Sequence, residues 1–529
     1  MRLRFVSFAA LTLLGGPAAG APVPKASSLP PRLVLLIAVD QMRYDYLTRF
    51  DYSFEGGIKQ LLDNGAVFTN AHLDHYPSVT AVGHATMLTG AWPSVSGIVG
   101  NDWYQAAEKR NVTSVEDAQV HLVGGPELPG RAASSPHRLR VSTVGDELKL
   151  AGRNSRVIGI AVKDRSAILM AGRMADAAYW FGSASPGFVT SSWYRDALPA
   201  WAADFQNRKV VESWLGREWR AAGAAGKPGP LLATLPGALG PEYFETLFTS
   251  PFGNDLTVEF ATSALAGEGL GTREATDLLA VSFSCNDSVG HDKGPHSPEV
   301  EDVTRQTDRA IGRLLAAVDR QVGLARTLVV LTADHGVAPV PEDLKLRKMP
   351  GGRIGRDELV GAATAALEAA YGKGDWLAGR SGAALYLNRE RIAERGLDPA
   401  AVERTVAARL ERLPPVWRTY TRSQLLEGRV APDPWSRRVM LAFDRERSGD
   451  VEVVLEPYWL PEGIVTTHGS PWSYDTHIPL VLMGPGIRAG RYDANVVLND
   501  LAPTLATLLR IETPTGASGR VLVEALAAR

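Results

Sequence analysis

The chain has 529 residues, 45% of them hydrophobic and 22% charged, the make-up of a globular protein rather than of a fibre or a disordered polymer. A formal net charge of −2 leaves no broad basic surface for nucleic acid or an anionic membrane, so any affinity for anions has to be local. The length suits one large α/β domain with insertions.

Residues 1–21 read as a secretory signal: Arg2 and Arg4, an apolar stretch, then small residues ending in Ala19-Gly20-Ala21. The apolar run is shorter than the roughly 20 residues that span a bilayer. A mature catalytic chain is expected over 22–529, periplasmic or secreted. Cys285 is the single cysteine, so no internal disulfide can form and stability rests on the core.

Leu33–Val39 (LVLLIAV) is a continuous apolar run of the kind expected in a strand covered on both faces, and it ends at Asp40. Pro77-Ser78 leads into residues 80–88 (TAVGHATML), a short helix with Thr80 at its start. There the positive helix end and its free N–H groups favour both an alkoxide and a bound phosphate. A plain N-cap is the other reading of this threonine.

Residues 157–162 (VIGIAV) form a second buried strand that ends at Lys163. Lys163 and Arg165, two apart on an extended segment, project the same way and can grip one phosphate. Residues 278–283 (LLAVSF) run toward Asp287 and His291, whose spacing fits a helix face or a tight loop. A long amphipathic helix follows, with Val303, Ile311, Leu314, Leu315 and Val318 on one side. Residues 328–331 (LVVL) lead to Asp334-His335-Gly336, residues 479–483 (PLVLM) are a further strand candidate, and His468 lies in the polar Thr467-His468-Gly469 loop.

The alternation predicts an α/β fold with a mostly parallel sheet between helix layers, and polar residues just past strand ends converge on one cleft edge. Two segments break the pattern. Residues 175–271 carry Trp180, Trp193, Trp201, Trp214 and Trp219 without a buried-strand pattern. Residues 337–465 mix helical stretches at 357–371 and 399–413 with strand-like runs at Ala384–Leu387 and Val451–Leu455. Both are expected to be cap segments inserted over the cleft.

Three carboxylates (Asp40, Asp287, Asp334) and three imidazoles (His291, His335, His468) are a ligand set suited to two zinc ions, and Thr80 beside them supplies a nucleophilic oxygen. Together they point to an enzyme acting on phosphate esters.

With Tyr76-Pro77-Ser78-Val79-Thr80, Gly83-His84-Ala85, Gly100-Asn101-Asp102-Trp103, Lys163-Asp164-Arg165 and Thr467-His468-Gly469-Ser470 added, the motifs resemble, in order, those of the alkaline phosphatase superfamily. The match is closest to the exported alkaline phosphatases with a threonine nucleophile, which are related to the nucleotide pyrophosphatase/phosphodiesterases. The resemblance implies an alkaline-phosphatase-like fold and two Zn2+ per chain. Asp287, His291 and His468 would hold one ion; Asp40, Asp334 and His335 would hold the other, next to Thr80. It implies a covalent phosphothreonine on Thr80, with Asn101, Lys163 and Arg165 on the phosphate. The expected activity is release of inorganic phosphate from small-molecule phosphate monoesters, by a monomer without a stable membrane span.

His477 competes with His468 for the last ligand position. The alternative function on the same scaffold is a phosphodiesterase or nucleotide pyrophosphatase, and a more distant one is a non-catalytic phosphate-binding protein. A sulfatase is disfavoured, because that chemistry needs cysteine or serine in a Cys/Ser-x-Pro-x-Arg context, whereas Ala81-Val82-Gly83 follow Thr80.

Overall fold

Seven consecutive apolar residues cannot present a wet face, and all of Leu33–Val39 is buried in the middle of a ten-stranded sheet. In this computed structural model the described residues are 30–127, 129–130, 132–182, 187–222 and 229–527. The secretory leader expected at 1–21 lies outside them.

Five parallel strands form the middle of the sheet, in the order Thr327–Thr332, Leu33–Val39, Asp277–Phe283, Val157–Ala161 and Ala177–Phe181. In register, Leu33 lies opposite both Asp277 and Thr327, so these strands end close to one line. Antiparallel neighbours close both flanks: Leu480–Met483 beside Thr327–Thr332, and Phe188–Ser191 beside Ala177–Phe181. Ala66–Phe68 and Gly490–Tyr492 extend one edge, and Leu122–Val123 completes the other. The fold is therefore the α/β arrangement that the sequence predicts, with a mostly parallel sheet.

Helices cover the sheet in two groups. Gly57–Asn64, Phe252–Gly267 and Pro298–Gln321 pack together in one, and Thr80–Thr89, Asp164–Ala171 and Leu501–Leu509 form the other. Pro298–Gln321 starts cleanly because Pro298 needs no N–H partner and the Ser297 hydroxyl accepts from the Val300 N–H at 3.2 Å. On the same helix the Asp308 carboxylate accepts from the N–H groups of Glu55, Gly56, Ile58 and Lys59, pinning the start of Gly57–Asn64.

The two segments expected to be caps behave differently. Residues 175–271 are not a cap: Ala177–Phe181 and Phe188–Ser191 are strands of the main sheet, and Trp180, Trp214 and Trp219 are buried in its core. The five-residue run AAYWF offered too little to distinguish a sheet strand, and its aromatic rings fill the core, as the 4.0 Å stack of Phe188 on Phe260 shows. Residues 337–465 carry a lobe with a sheet and core of its own. Its sheet runs Leu377–Ser381, Ala384–Leu387, Val451–Leu455, Val416–Thr421, and the helices Glu358–Tyr371 and Pro399–Leu410 pack on it around a separate core of Leu367, Val406, Leu410 and Val453.

Candidate active site

Because four parallel strands end side by side, the residues that follow them are brought together. Asp40 follows Leu33–Val39 directly, Lys163 follows Val157–Ala161, and Asp334-His335 follow Thr327–Thr332. Asp287 and His291 share one face of the helix Cys285–Lys293, which starts just after Asp277–Phe283. His468 arrives from the far side, in the loop after the lobe.

The result is a buried cluster. His335 Nε2 lies 3.3 Å from Asp334 Oδ2 and 3.5 Å from Asp40 Oδ1. His291 Nε2 is 3.2 Å and His468 Nε2 3.6 Å from Asp287 Oδ1. Two compact groups of facing donors emerge, Asp40 with Asp334 and His335, and Asp287 with His335 and His468. His335 thus faces both groups, where the resemblance gave it to one, and His291 reaches the cluster through Asp287. His477 is elsewhere: its ring stacks on Tyr44 at 4.4 Å and on His72 at 4.6 Å.

All three cluster imidazoles have the same tautomer imposed on them. A backbone carbonyl can only accept, and Nδ1 of His291, His335 and His468 lies at 2.9, 2.9 and 2.8 Å from the carbonyls of Thr466, Gly336 and Ser78. Each Nε2 is therefore left as a lone-pair donor aimed into the cluster, as metal-ligating histidines require.

Burial lowers the pKa of His335, and burial together with the neighbouring His335 and His291 rings holds His468 well below its usual value, so both stay neutral donors. His291 is raised, because the Asp287 carboxylate outweighs its burial. Burial, then Asp334, drives the Asp40 carboxyl up, whereas Lys163 and His291 hold Asp287 down against its own burial.

The chemistry of this donor set fits divalent metal. Asp40, Asp287 and Asp334 are buried together, and Asp40 Oδ1 and Asp334 Oδ2 have no hydrogen-bond donor among the described residues. Uncompensated buried carboxylate oxygens facing neutral imidazole nitrogens are costly unless a cation joins them.

Thr80 is the first residue of the helix Thr80–Thr89 and is buried. Its side chain caps nothing; Oγ1 instead lies 3.4 Å from His335 Nε2. One turn on, Gly83 lies against Asp334, where a Cβ would come within 2.2 Å of the Asp334 carbonyl oxygen. Only glycine lets the helix approach so closely. Asn101 Oδ1 accepts from the Ala81 N–H at 2.9 Å, leaving its NH2 group for another acceptor.

The Lys163-Asp164-Arg165 segment is not extended. Lys163 is the N-cap of the helix Asp164–Ala171 and Arg165 sits in its first turn, so the two-residue spacing of a strand does not relate their side chains. Lys163 Nζ turns inward, 2.6 Å from both Asp40 Oδ2 and Asp287 Oδ2, because buried carboxylates attract the ammonium. Arg165 is half-buried and lines a cleft of about 610 Å³ together with Asn101.

Two residues escaped the sequence reading as site groups. Gln41 spans the carboxylates of Asp287 and Asp334, and His84 bonds the Thr80 carbonyl through Nδ1 at 2.8 Å and the Ser282 hydroxyl through Nε2 at 2.8 Å. His84 lies in a motif already noted, and Gln41 adjoins Asp40; nothing local announces their partners hundreds of residues away.

The sequence profile of the type I phosphodiesterases and nucleotide pyrophosphatases matches residues 34–474. The chain belongs to this family. It is accordingly an enzyme of the alkaline phosphatase superfamily. The family member is 34% identical to alkaline phosphatase PafA of Elizabethkingia meningoseptica, over 95% of this chain and 96% of that one. It is 34% identical to a protein of Myroides odoratus named a calcium-transporting ATPase, over 94% and 95% of the two chains. To alkaline phosphatase PhoV of Synechococcus elongatus it is 32% identical, over 94% and 93%. The crystal structure of PafA superposes with a TM-score of 0.88 at 32% identity, covering 95% of this chain and all of that one. Another PafA structure carries substitutions of a threonine, an asparagine, a lysine and an arginine, spaced in that sequence as Thr80, Asn101, Lys163 and Arg165 are here.

Proposed function

We propose that this protein is an exported, metal-dependent phosphomonoesterase of the alkaline phosphatase kind, periplasmic or secreted and monomeric, working through a phosphothreonine at Thr80. The observation that carries the reading is the Thr80 hydroxyl, at the first turn of a buried helix and 3.4 Å from His335 Nε2 in a cluster of six ligand-type side chains. The phosphatase names of PafA and PhoV support it, and cleavage of a phosphate ester or anhydride is what they share with the ATPase name. No helix among the described residues is long and apolar enough to cross a membrane.

The six side chains Asp40, Asp287, Asp334, His291, His335 and His468 would hold two zinc ions. When bound, these ions supply Lewis acidity to the threonine oxygen and to the departing alcohol oxygen. Thr80 Oγ1 attacks phosphorus as the bond from phosphorus to the alcohol oxygen breaks; water then attacks the phosphothreonine, restoring Thr80 and releasing inorganic phosphate. Arg165 and the Asn101 amide bind non-bridging phosphate oxygens from the cleft side, and Lys163 balances charge between phosphate and carboxylates. A monoester presents three such oxygens and a diester only two, which favours monoesters.

The test compares initial rates on an aryl phosphate and its aryl diester, with metal content measured on the same preparation. Monoesterase in large excess with about two zinc ions per chain supports the reading. Excess diesterase transfers the assignment to a phosphodiesterase or nucleotide pyrophosphatase, the second reading that the family profile favours. A protein that captures phosphate but turns over neither ester, unchanged by Thr80→Ala, is a binding protein.

A further inference from the structure

A cavity of about 400 Å³ lies between the main domain and the lobe of residues 337–465, directly beside the cluster. Val79, Asn101 and His468 form its near wall, so it adjoins the residue before Thr80, a phosphate-facing amide and a ligand-type imidazole. Much of the remaining lining is apolar and comes from three small hydrophobic clusters: Val99 with Tyr386, Val439 with Phe443, and Leu460 with Tyr474. Packed interiors seldom leave such space unfilled.

Polar side chains also line the cavity, among them Asp102, Arg356, Arg380, Glu456 and Asp475. Glu452, on the strand Val451–Leu455, lines it too and has a single hydrogen-bond donor among the described residues, the Gly449 N–H at 3.1 Å from Oε1. Burial pushes its carboxyl up to about 7, so near neutrality it donates as readily as it accepts. A largely apolar chamber that also holds such a group selects a ligand with an apolar body and a polar tip.

We infer that this chamber is the alcohol subsite of the enzyme, built to receive the leaving group of monoesters whose alcohol carries an apolar ring or chain tipped with a hydroxyl or amine. The inference rests on the phosphatase reading and narrows its substrate class. The main sheet supplies the reacting groups, and the lobe supplies the selectivity.

The experiment uses phenylpropyl phosphate and propyl phosphate, whose alcohol oxygens have matched acidity, so that a rate difference reports binding of the ring. For the full-length metal-loaded enzyme, kcat/KM should favour the phenylpropyl ester by at least about tenfold. Filling the chamber with Ala442→Phe and separately with Ala384→Phe should bring that ratio below about threefold. The ratio is read within each variant, so a partly misfolded preparation does not bias it, and the second variant decides if the first does not fold. Competition by phenylpropyl phosphonate against propyl phosphonate, measured on the unaltered enzyme, gives the same ordering without any variant. A wild-type ratio near one, or a preference that survives both fillings, overturns the inference. Failure to hydrolyse either ester instead contradicts the phosphatase reading beneath it.

Discussion

The Gln41 side-chain amide donates to the Asp287 carboxylate at 2.7 Å while its backbone N–H donates to the Asp334 carboxylate at 3.1 Å. One residue thereby braces ligands of both donor groups. Gln41 holds a left-handed backbone, φ 67°, and Gly290 leaves the space its amide occupies, since a Cβ there would fall 1.7 Å from Gln41 Oε1.

Removing that brace with Gln41→Ala is expected to weaken zinc binding about 10- to 100-fold, the usual cost of losing a group that orients a metal ligand. Chelator competition monitored by zinc content measures it. Unchanged affinity would show that the two carboxylates hold their positions without help.

Gly83→Ala places a methyl group against the Asp334 backbone. The helix that carries Thr80 must then shift or Asp334 must move, at a cost of about 1–3 kcal/mol. Urea unfolding should show a lower midpoint, with loss of turnover. An unaltered midpoint would mean that the contact relaxes freely.

Arg165→Ala and Lys163→Ala should each lower kcat/KM on an aryl monoester by about a hundredfold or more, while affecting the matching diester less. Since Lys163 contacts Asp40 and Asp287 whereas Arg165 faces the cleft, only the lysine variant should also alter metal affinity. Equal losses on both esters would remove the basis for preferring monoesters.

Glu452 makes a pH prediction whose sign follows from its raised carboxyl. Between its ordinary value, 4.5, and about 7 the folded state keeps a proton that the unfolded chain has released. Its contribution is therefore present in full below 4.5 and is lost as pH rises through about 7. Glu452→Gln should change stability little at pH near 5 and improve it near pH 8, by no more than about 3 kcal/mol. Tyr76, Tyr386 and Asp450 surround the group but are shared by both proteins, so the difference isolates Glu452. A variant equally destabilised at both pH values contradicts the assignment.

Most of the frame was legible because strands buried on both faces leave uninterrupted apolar runs, and Leu33–Val39 and the runs ending near Lys163, Asp287 and Asp334 all became neighbours. The residues just past their ends then had to meet. Ala177–Phe181 was not legible as a strand, since five residues with two alanines look alike in a sheet and in a loop-rich insertion. That Lys163 and Arg165 do not lie on an extended segment follows from a helix starting at Asp164, which spacing alone does not reveal. Gln41 and His84 matter through bonds to Asp287, Asp334 and Ser282, contacts that exist only once the sheet has assembled.

Anomalous diffraction at the zinc edge, from crystals of the unaltered enzyme, is the most direct test. Two zinc peaks are predicted, one held by Asp40, Asp334 and His335 and one by Asp287, His291 and His468, each about 2.0–2.3 Å from its protein ligands, with the Thr80 oxygen beside the first. Zinc found away from these six side chains, or a Thr80 hydroxyl remote from both ions, would contradict the account.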